Sequence, residues 1–195
     1  MIDIVLATSN EGKLKEYEDI LNNKNIKLHL MKELNIISDP DENGNSYIEN
    51  ALIKARAIKD KTNYCILADD SGVEFEALGE HFPGIHTHRY ALENGGNENL
   101  NPKLAKEIGG TKGTFYSAIA LITPSKEEIT FLGKVNGTVS KVLEGFNGFG
   151  YDNIFIIDGN EHTNAYYDES VKNKMSHRAK SCEQLLNYLK LNKLI

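Results

Sequence analysis

Residues 1–21 read MIDIVLATSNEGKLKEYEDIL. Ile2 to Ala7 is a short apolar run, as expected of a buried strand. Thr8-Ser9-Asn10 interrupts it, and Leu14, Tyr17 and Leu21 then recur at helical spacing. Ser9 or Asn10 can cap the helix so begun. A strand, a polar loop and a helix in that order are the unit from which α/β proteins are assembled. The run is too short to span a bilayer and has neither a basic flank nor a cleavage signal, so it reads as a strand and not a signal peptide.

The alternation continues. Residues 26–31 read as a second strand, and 38–45 as a polar loop. Ser46 and Glu49 have capping-box spacing, with Glu49 reaching back to the cap. The helix they open carries Ile48, Ala51, Leu52, Ala55 and Ile58 on its apolar face. Asn50 and Lys54 share a separate face, being four apart. Tyr64 to Ala68 reads as a strand ending in Asp69-Asp70-Ser71-Gly72. Pro102 is expected to open a helix running to Ile108. Thr114 to Ile122 and Ile129 to Val139 read as an antiparallel hairpin. Pro83-Gly84-Ile85 reads as a turn, Asn153 to Ile157 as a strand, and a last helix from Ser176 should bury Ala179, Cys182, Leu185, Leu186 and Leu189. The expected fold is a mixed β-sheet flanked by helices, with no repeat or linker to divide residues 1–195.

The net charge is −6, and no basic stripe is present of the kind that neutralises a nucleic-acid backbone. A small polyanion needs only a local set of cations and amides. Cys65 and Cys182 lie far apart within apolar segments and read as buried thiols of a reducing, cytoplasmic compartment. His81, His86 and His88 lack the companion ligands that a zinc site needs.

Five segments can carry chemistry. Thr8, Ser9, Asn10, Glu11, Gly12 and Lys13 place amides and a lysine at a helix N-terminus, a phosphate site or an ordinary capped helix. Asp69 and Asp70 are adjacent carboxylates, which suit magnesium and its oxygen ligands, or simply cap a turn. Glu42, in the acidic loop 39–44, is a plausible second metal ligand. Gly148-Phe149-Gly150-Tyr151-Asp152 lets backbone approach a flat ligand, or forms a strand-entry bulge. Lys172, His177 and Arg178 put cations near the start of the last helix, where the helix dipole disfavours them unless something anionic is close.

In this order, ATSNEGK at 7–13, YIENALIKA at 47–55, ADDSG at 68–72, FPGIHTHRYA at 82–91, GFGYD at 148–152 and SHR at 176–178 resemble the inosine/xanthosine triphosphate pyrophosphatases, the Ham1-like family. The resemblance covers nearly the whole chain. It implies an elongated α/β fold with a long mixed sheet, two lobes and a central cleft, in a homodimer. It implies a magnesium-dependent enzyme that splits non-standard purine triphosphates (ITP, dITP, XTP) into the monophosphate and pyrophosphate. By the same resemblance, Thr8 to Lys13 hold the triphosphate and Asp70 is general base and metal ligand. Glu42 is the second ligand, with Asp41 the other choice. Asp69 supports the site, and Ser71 touches substrate. Phe149, Gly150, Tyr151, Asp152, Lys172, His177 and Arg178 form the base pocket. Relatives often carry proline after Asp152, where this chain has Asn153. The rival readings are a Maf-like pyrophosphatase with another base preference and a non-catalytic nucleotide-binding module.

Overall fold

The computed structural model describes all residues, Met1–Ile195. Seven strands form one sheet: β1 (Ile2–Leu6), β2 (Ile26–Leu30), β3 (Cys65–Phe75), β4 (Pro83–Gly84), β5 (Lys112–Ile122), β6 (Glu128–Val139) and β7 (Phe155–Ile157), in the order β2-β1-β3-β5-β6-β7 with β4 beside β3. Six α-helices accompany it: α1 (Glu11–Ile20), α2 (Tyr47–Arg56), α3 (Thr87–Glu93), α4 (Asn97–Ile108), α5 (Glu169–Met175) and α6 (His177–Leu191). β1 pairs parallel with β2 and with β3, whereas β3–β4 and β6–β7 are antiparallel, so the sheet is mixed. The short connection 123–127 leaves β5 and β6 only an antiparallel arrangement.

The chain divides into two compact units. Unit 1 is Met1–Ser71, Ser117–Gly133 and Arg178–Ile195. Its core joins Ile4 and Leu6 of β1, Tyr17 of α1, Leu67 of β3, Ile119 and Leu121 of β5, and Cys182, Leu185 and Leu189 of α6. Unit 2 is Gly72–Tyr116 and Lys134–His177. Its core joins Val73 and Phe75, Leu100 and Leu104 of α4, Phe115, Val139, Tyr151 and Phe155. No helix is long and apolar enough to cross a membrane.

The strand order of unit 1 decides where its chemistry can lie. β1→α1→β2 moves to one side of β1, and β2→α2→β3 returns across it to the other. Right-handed crossovers of opposite direction put α1 and α2 on opposite faces of the sheet. Such a reversal opens a crevice at the carboxyl ends of the strands, where α/β sheets bind ligands. Leu6 at the end of β1 pairs with Leu67, and the Ala7 amide donates to the Leu67 carbonyl, so the loop after β1 lies level with the residues just beyond Leu67.

Several sequence expectations are corrected. β3 does not stop at Ala68 but continues to Phe75, so Asp69-Asp70-Ser71-Gly72 is strand and not turn; the flanking pairing with β5 and β4 carries it on. Pro83-Gly84 belongs to that pairing as β4. α4 starts at Asn97, with Pro102 inside it; proline offers no amide to the carbonyl of Glu98, an exposed residue of the first turn. β7 begins at Phe155, two residues late, because Asp152–Ile154 forms a 3-10 turn. In α6 Ala179 and Leu186 lie on the flanks, and the buried stripe is Arg178, Cys182, Leu185 and Leu189, with Ser181 beside it.

Candidate active site

In unit 1, being inside a strand separates the two aspartates. Successive side chains of a strand point to opposite faces, so Asp69 and Asp70 meet different partners although both are buried. Asp69 faces α1 and α6. Lys13 Nζ lies 3.1 Å from its Oδ1, a charge contact without an aligned hydrogen bond, and Arg178 Nη2 donates to its Oδ2 at 3.3 Å. Ser71, two residues on and therefore on the same face, accepts from the same Arg178 nitrogen at 3.2 Å. The other terminal nitrogen of Arg178 donates to Glu16 of α1. Asp70 faces α2: its Oδ1 accepts from Lys54 Nζ at 3.0 Å and its Oδ2 from Asn50 Nδ2 at 3.3 Å.

Lys54 Nζ also donates to Glu42 Oε2 at 3.0 Å. One ammonium therefore bridges Glu42 and Asp70, whose oxygens can be no farther apart than twice that distance. Residues distant in sequence converge because α2 presents Asn50 and Lys54 to β3. Ser46 Oγ caps α2 by accepting from the Glu49 amide. Glu49 reaches back beyond the cap to the Asn45 amide, one residue past its expected partner. The Gly44 amide donates to Asn50 Oδ1, and a Cβ at Gly44 would sit 2.7 Å from that oxygen, so the acidic loop can close onto α2 only at a glycine. Asn50 is thus buried, where the sequence suggested a face apart from the core.

The N-terminus of α1 is capped by Asn10, whose Oδ1 accepts from the Lys13 amide at 3.1 Å, while the Asn10 amide donates to Thr8 Oγ1. The Leu14 amide goes to the Asn10 carbonyl. This leaves the amides of Glu11 and Gly12 outside the helical ladder, as donors at the positive end of the dipole.

The charges are strongly coupled. Burial would raise the Asp69 carboxyl, but Lys13, Arg178 and Lys54 outweigh it and hold the group at about 2. For Asp70 burial prevails over Lys54 and Lys13, and the carboxyl lies above its ordinary range. Burial lowers Lys13, reinforced by Lys54 and Arg178 against the pull of Asp69. Burial also acts to lower Lys54, but Asp70, Asp69 and Glu42 together leave it raised. The two aspartates are therefore unlike: one is a fixed anion, the other is more basic than a surface carboxylate.

In unit 2 the segment 148–152 is a glycine turn built on a buried ion pair. Gly148 and Gly150 have φ of 77° and 64°, and a Cβ at Gly148 would come within 2.1 Å of Asp152 Oδ2. Asp152 Oδ2 accepts from the Phe149 amide at 3.0 Å and from Lys172 Nζ at 3.2 Å, and Oδ1 from Asn164 Nδ2 at 3.3 Å. Lys172 Nζ lies 5.5 Å from the centroid of the half-exposed Phe149 ring. Tyr151 is buried and donates its hydroxyl to the Thr87 carbonyl. His177 stacks on Phe115 at 4.9 Å.

Of the residues expected in the base pocket, Phe149, Gly150, Asp152 and Lys172 come together in unit 2, where Tyr151 is buried, while in unit 1 the two terminal nitrogens of Arg178 donate to Glu16, Asp69 and Ser71. Glu16, Asn50, Lys54 and Asn164 are absent from the sequence-based site, although the spacing puts Asn50 and Lys54 on one face of their helix. Arg178 falls on the buried stripe of α6, three residues before Ser181 and four before Cys182, a spacing that calls for buried anions.

A mixed sheet with a strand-order reversal, an amide-rich helix mouth and carboxylates converging on one cation is the arrangement of an α/β nucleotide-handling protein. Residues 4–188 match the model of the Ham1 family, and the chain belongs to that family. The dITP/XTP pyrophosphatase of Caldanaerobacter subterraneus subsp. tengcongensis is 37% identical over 194 residues, covering 97% of this chain and 96% of the relative. That of Bacillus subtilis is 34% identical over 97% of this chain and 98% of its own length. The solved HAM1 protein from Coxiella burnetii superposes with a TM-score of 0.84 at 34% identity, over 97% of this chain and 99% of that one. For the Staphylococcus aureus Ham1 protein the TM-score is 0.82 at 32% identity, over 97% and 99%.

Proposed function

We propose that the protein hydrolyses non-standard purine nucleoside triphosphates, such as dITP, ITP and XTP, to the monophosphate and pyrophosphate. The observation that carries this reading is the pair of carboxylates, Glu42 and Asp70, meeting on one cation, Lys54, whose charge and that of Asp70 are felt by Lys13 of α1. Membership of a family whose curated members include dITP/XTP pyrophosphatases supplies the substrate class.

A hard divalent cation takes oxygen ligands and tolerates one or two carboxylates with the rest water and phosphate. Glu42 and Asp70 fit that donor set, because they already share a positive charge. Magnesium held there would offset phosphate charge and template the reaction. Thr8 to Lys13 would receive the phosphates on the Glu11 and Gly12 amides and the Lys13 ammonium. Asp70, raised by burial, would take the proton of the attacking water at a carboxylate oxygen. Lys13 would balance charge gathering on the departing pyrophosphate. Asp69, fixed as an anion by Lys13 and Arg178, would position Lys13 and would not itself titrate. Phe149 would stack on the base, and donors near Asp152 and Lys172 would favour the 6-oxo group of hypoxanthine or xanthine over the 6-amino group of adenine. A mispaired buried polar group costs about 1–3 kcal/mol. A cytoplasmic homodimer completes the proposal.

Incubation with dITP and magnesium, followed by product identification, tests the reaction. The expected products are dIMP and pyrophosphate. Formation of dIDP and phosphate, or an intact triphosphate, refutes it.

A further inference from the structure

Asn101 of α4 is almost fully buried and ties the helix to Gly150 of the glycine turn 148–152. Both hydrogens of its side-chain amide are used. Nδ2 donates to the Gly150 carbonyl at 2.9 Å and to Asn153 Oδ1 at 2.6 Å, one hydrogen for each. Its Oδ1 accepts from Asn97 Nδ2 at 3.1 Å, one helical turn earlier. Gly150 has a left-handed backbone and stands between Phe149 and Tyr151. Fixing its carbonyl orients the peptides on both sides, and with them the Phe149 ring and the Asp152 carboxylate. The other anchors hold different parts of the turn: Tyr151 through Thr87 and Asn97, and Asp152 through Lys172 and Asn164. Gly150 has nothing within 4 Å of where a Cβ would stand, so crowding does not fix its conformation and the hydrogen bond from Asn101 is its tether.

We propose that Asn101 is a specificity-determining positioning residue, which acts through Gly150 and Asn153 to hold the base-recognising turn. The inference rests on reading that turn as the base pocket. It touches neither Asp70 nor Lys13, so base recognition should respond and the chemical step should not.

The test compares wild type with Asn101→Asp, which keeps the shape but replaces both donors with an acceptor facing the Gly150 carbonyl. Steady-state rates are measured on dITP and dATP, with binding of dIMP and of pyrophosphate by calorimetry. The expectation is a KM for dITP raised about tenfold, as for a buried acceptor that loses its donor, with kcat within about twofold. The preference for dITP over dATP should shrink, and dIMP should bind more weakly while pyrophosphate binding holds. If KM and the preference stay at wild-type values, or if kcat falls with KM unchanged, the inference is overturned. Should Asn101→Asp fail to fold, Asn153→Ala removes the Asn101–Asn153 bond, and a KM rise at constant kcat carries the same meaning; an unchanged KM refutes it. A wild type that does not split dITP refutes the functional reading instead, which separates the two failures.

Discussion

Single side chains in unit 1 divide into those that change charge state and those that hold it. Asp70 is raised and Asp69 held low, although they are neighbours in sequence, because the strand turns them to opposite faces. Removing the proposed base should therefore separate activity from stability. Asp70→Asn is expected to lower dITP turnover by about 10²- to 10⁴-fold while circular dichroism and the melting temperature stay near wild type, since asparagine can still accept from Lys54. Near-normal turnover would remove Asp70 from the role. Asp69 gives the converse expectation. Its carboxyl is held below its ordinary value near 4, so its contribution is complete above that pH and is lost as pH falls toward about 2. Lys13, Arg178 and Lys54 produce this downward shift against burial, and because the group is shielded from solvent the shift is worth about 2–3 kcal/mol. In urea titrations from pH 6 down to 2.5, Asp69→Asn should be less stable than wild type at the upper end, and the gap should narrow with acid. A gap that stays constant across the series would show that Asp69 is not the anion described.

Elements determine which of these side chains meet. α2 delivers Asn50 and Lys54 to β3, and its start is fixed by Ser46. Ser46→Ala removes the cap and should cost about 1 kcal/mol of unfolding free energy. The variant should also weaken magnesium binding, because the acidic loop bearing Glu42 enters through this turn; an unchanged denaturant midpoint would show that Glu49 and Asn50 suffice to start the helix. The cap at Ser46 and the strand at 2–6 were legible in sequence because both are local patterns, read within one turn or one strand. The extension of β3 through Asp69 and Asp70 was not legible. Two adjacent aspartates followed by Ser-Gly carry turn propensity, and only pairing with strands far along the chain overrides it. The partnership of Arg178 with Glu16 was hidden for the same reason, since it joins residues at opposite ends of the chain. The motifs pointed to the candidate segments, whereas face and partner had to come from the sheet.

At the scale of the whole molecule, the question is how an acidic protein accepts an acidic substrate. The net charge is −6, and the candidate site does not reverse it locally: Lys13, Lys54 and Arg178 stand among Glu16, Glu42, Asp69 and Asp70. A polyphosphate alone would meet a slight excess of negative charge, screened only weakly for groups that are buried. A divalent cation shared by Glu42 and Asp70 would change the sign of that balance and free Lys54 for phosphate. Metal and polyphosphate should therefore stabilise the fold in a fixed order. Anything that binds the native state but not the unfolded chain raises the melting temperature by mass action. Magnesium alone should raise it, pyrophosphate with a chelator should not, and the two together should raise it by more than the sum of their separate effects. The Glu42→Gln, Asp70→Asn double variant should lose the magnesium shift and the synergy while keeping a native melt. A pyrophosphate shift of full size in the presence of chelator would mean that the lysines and the α1 amides already suffice for the anion, and that the two carboxylates do not recruit a metal on its behalf.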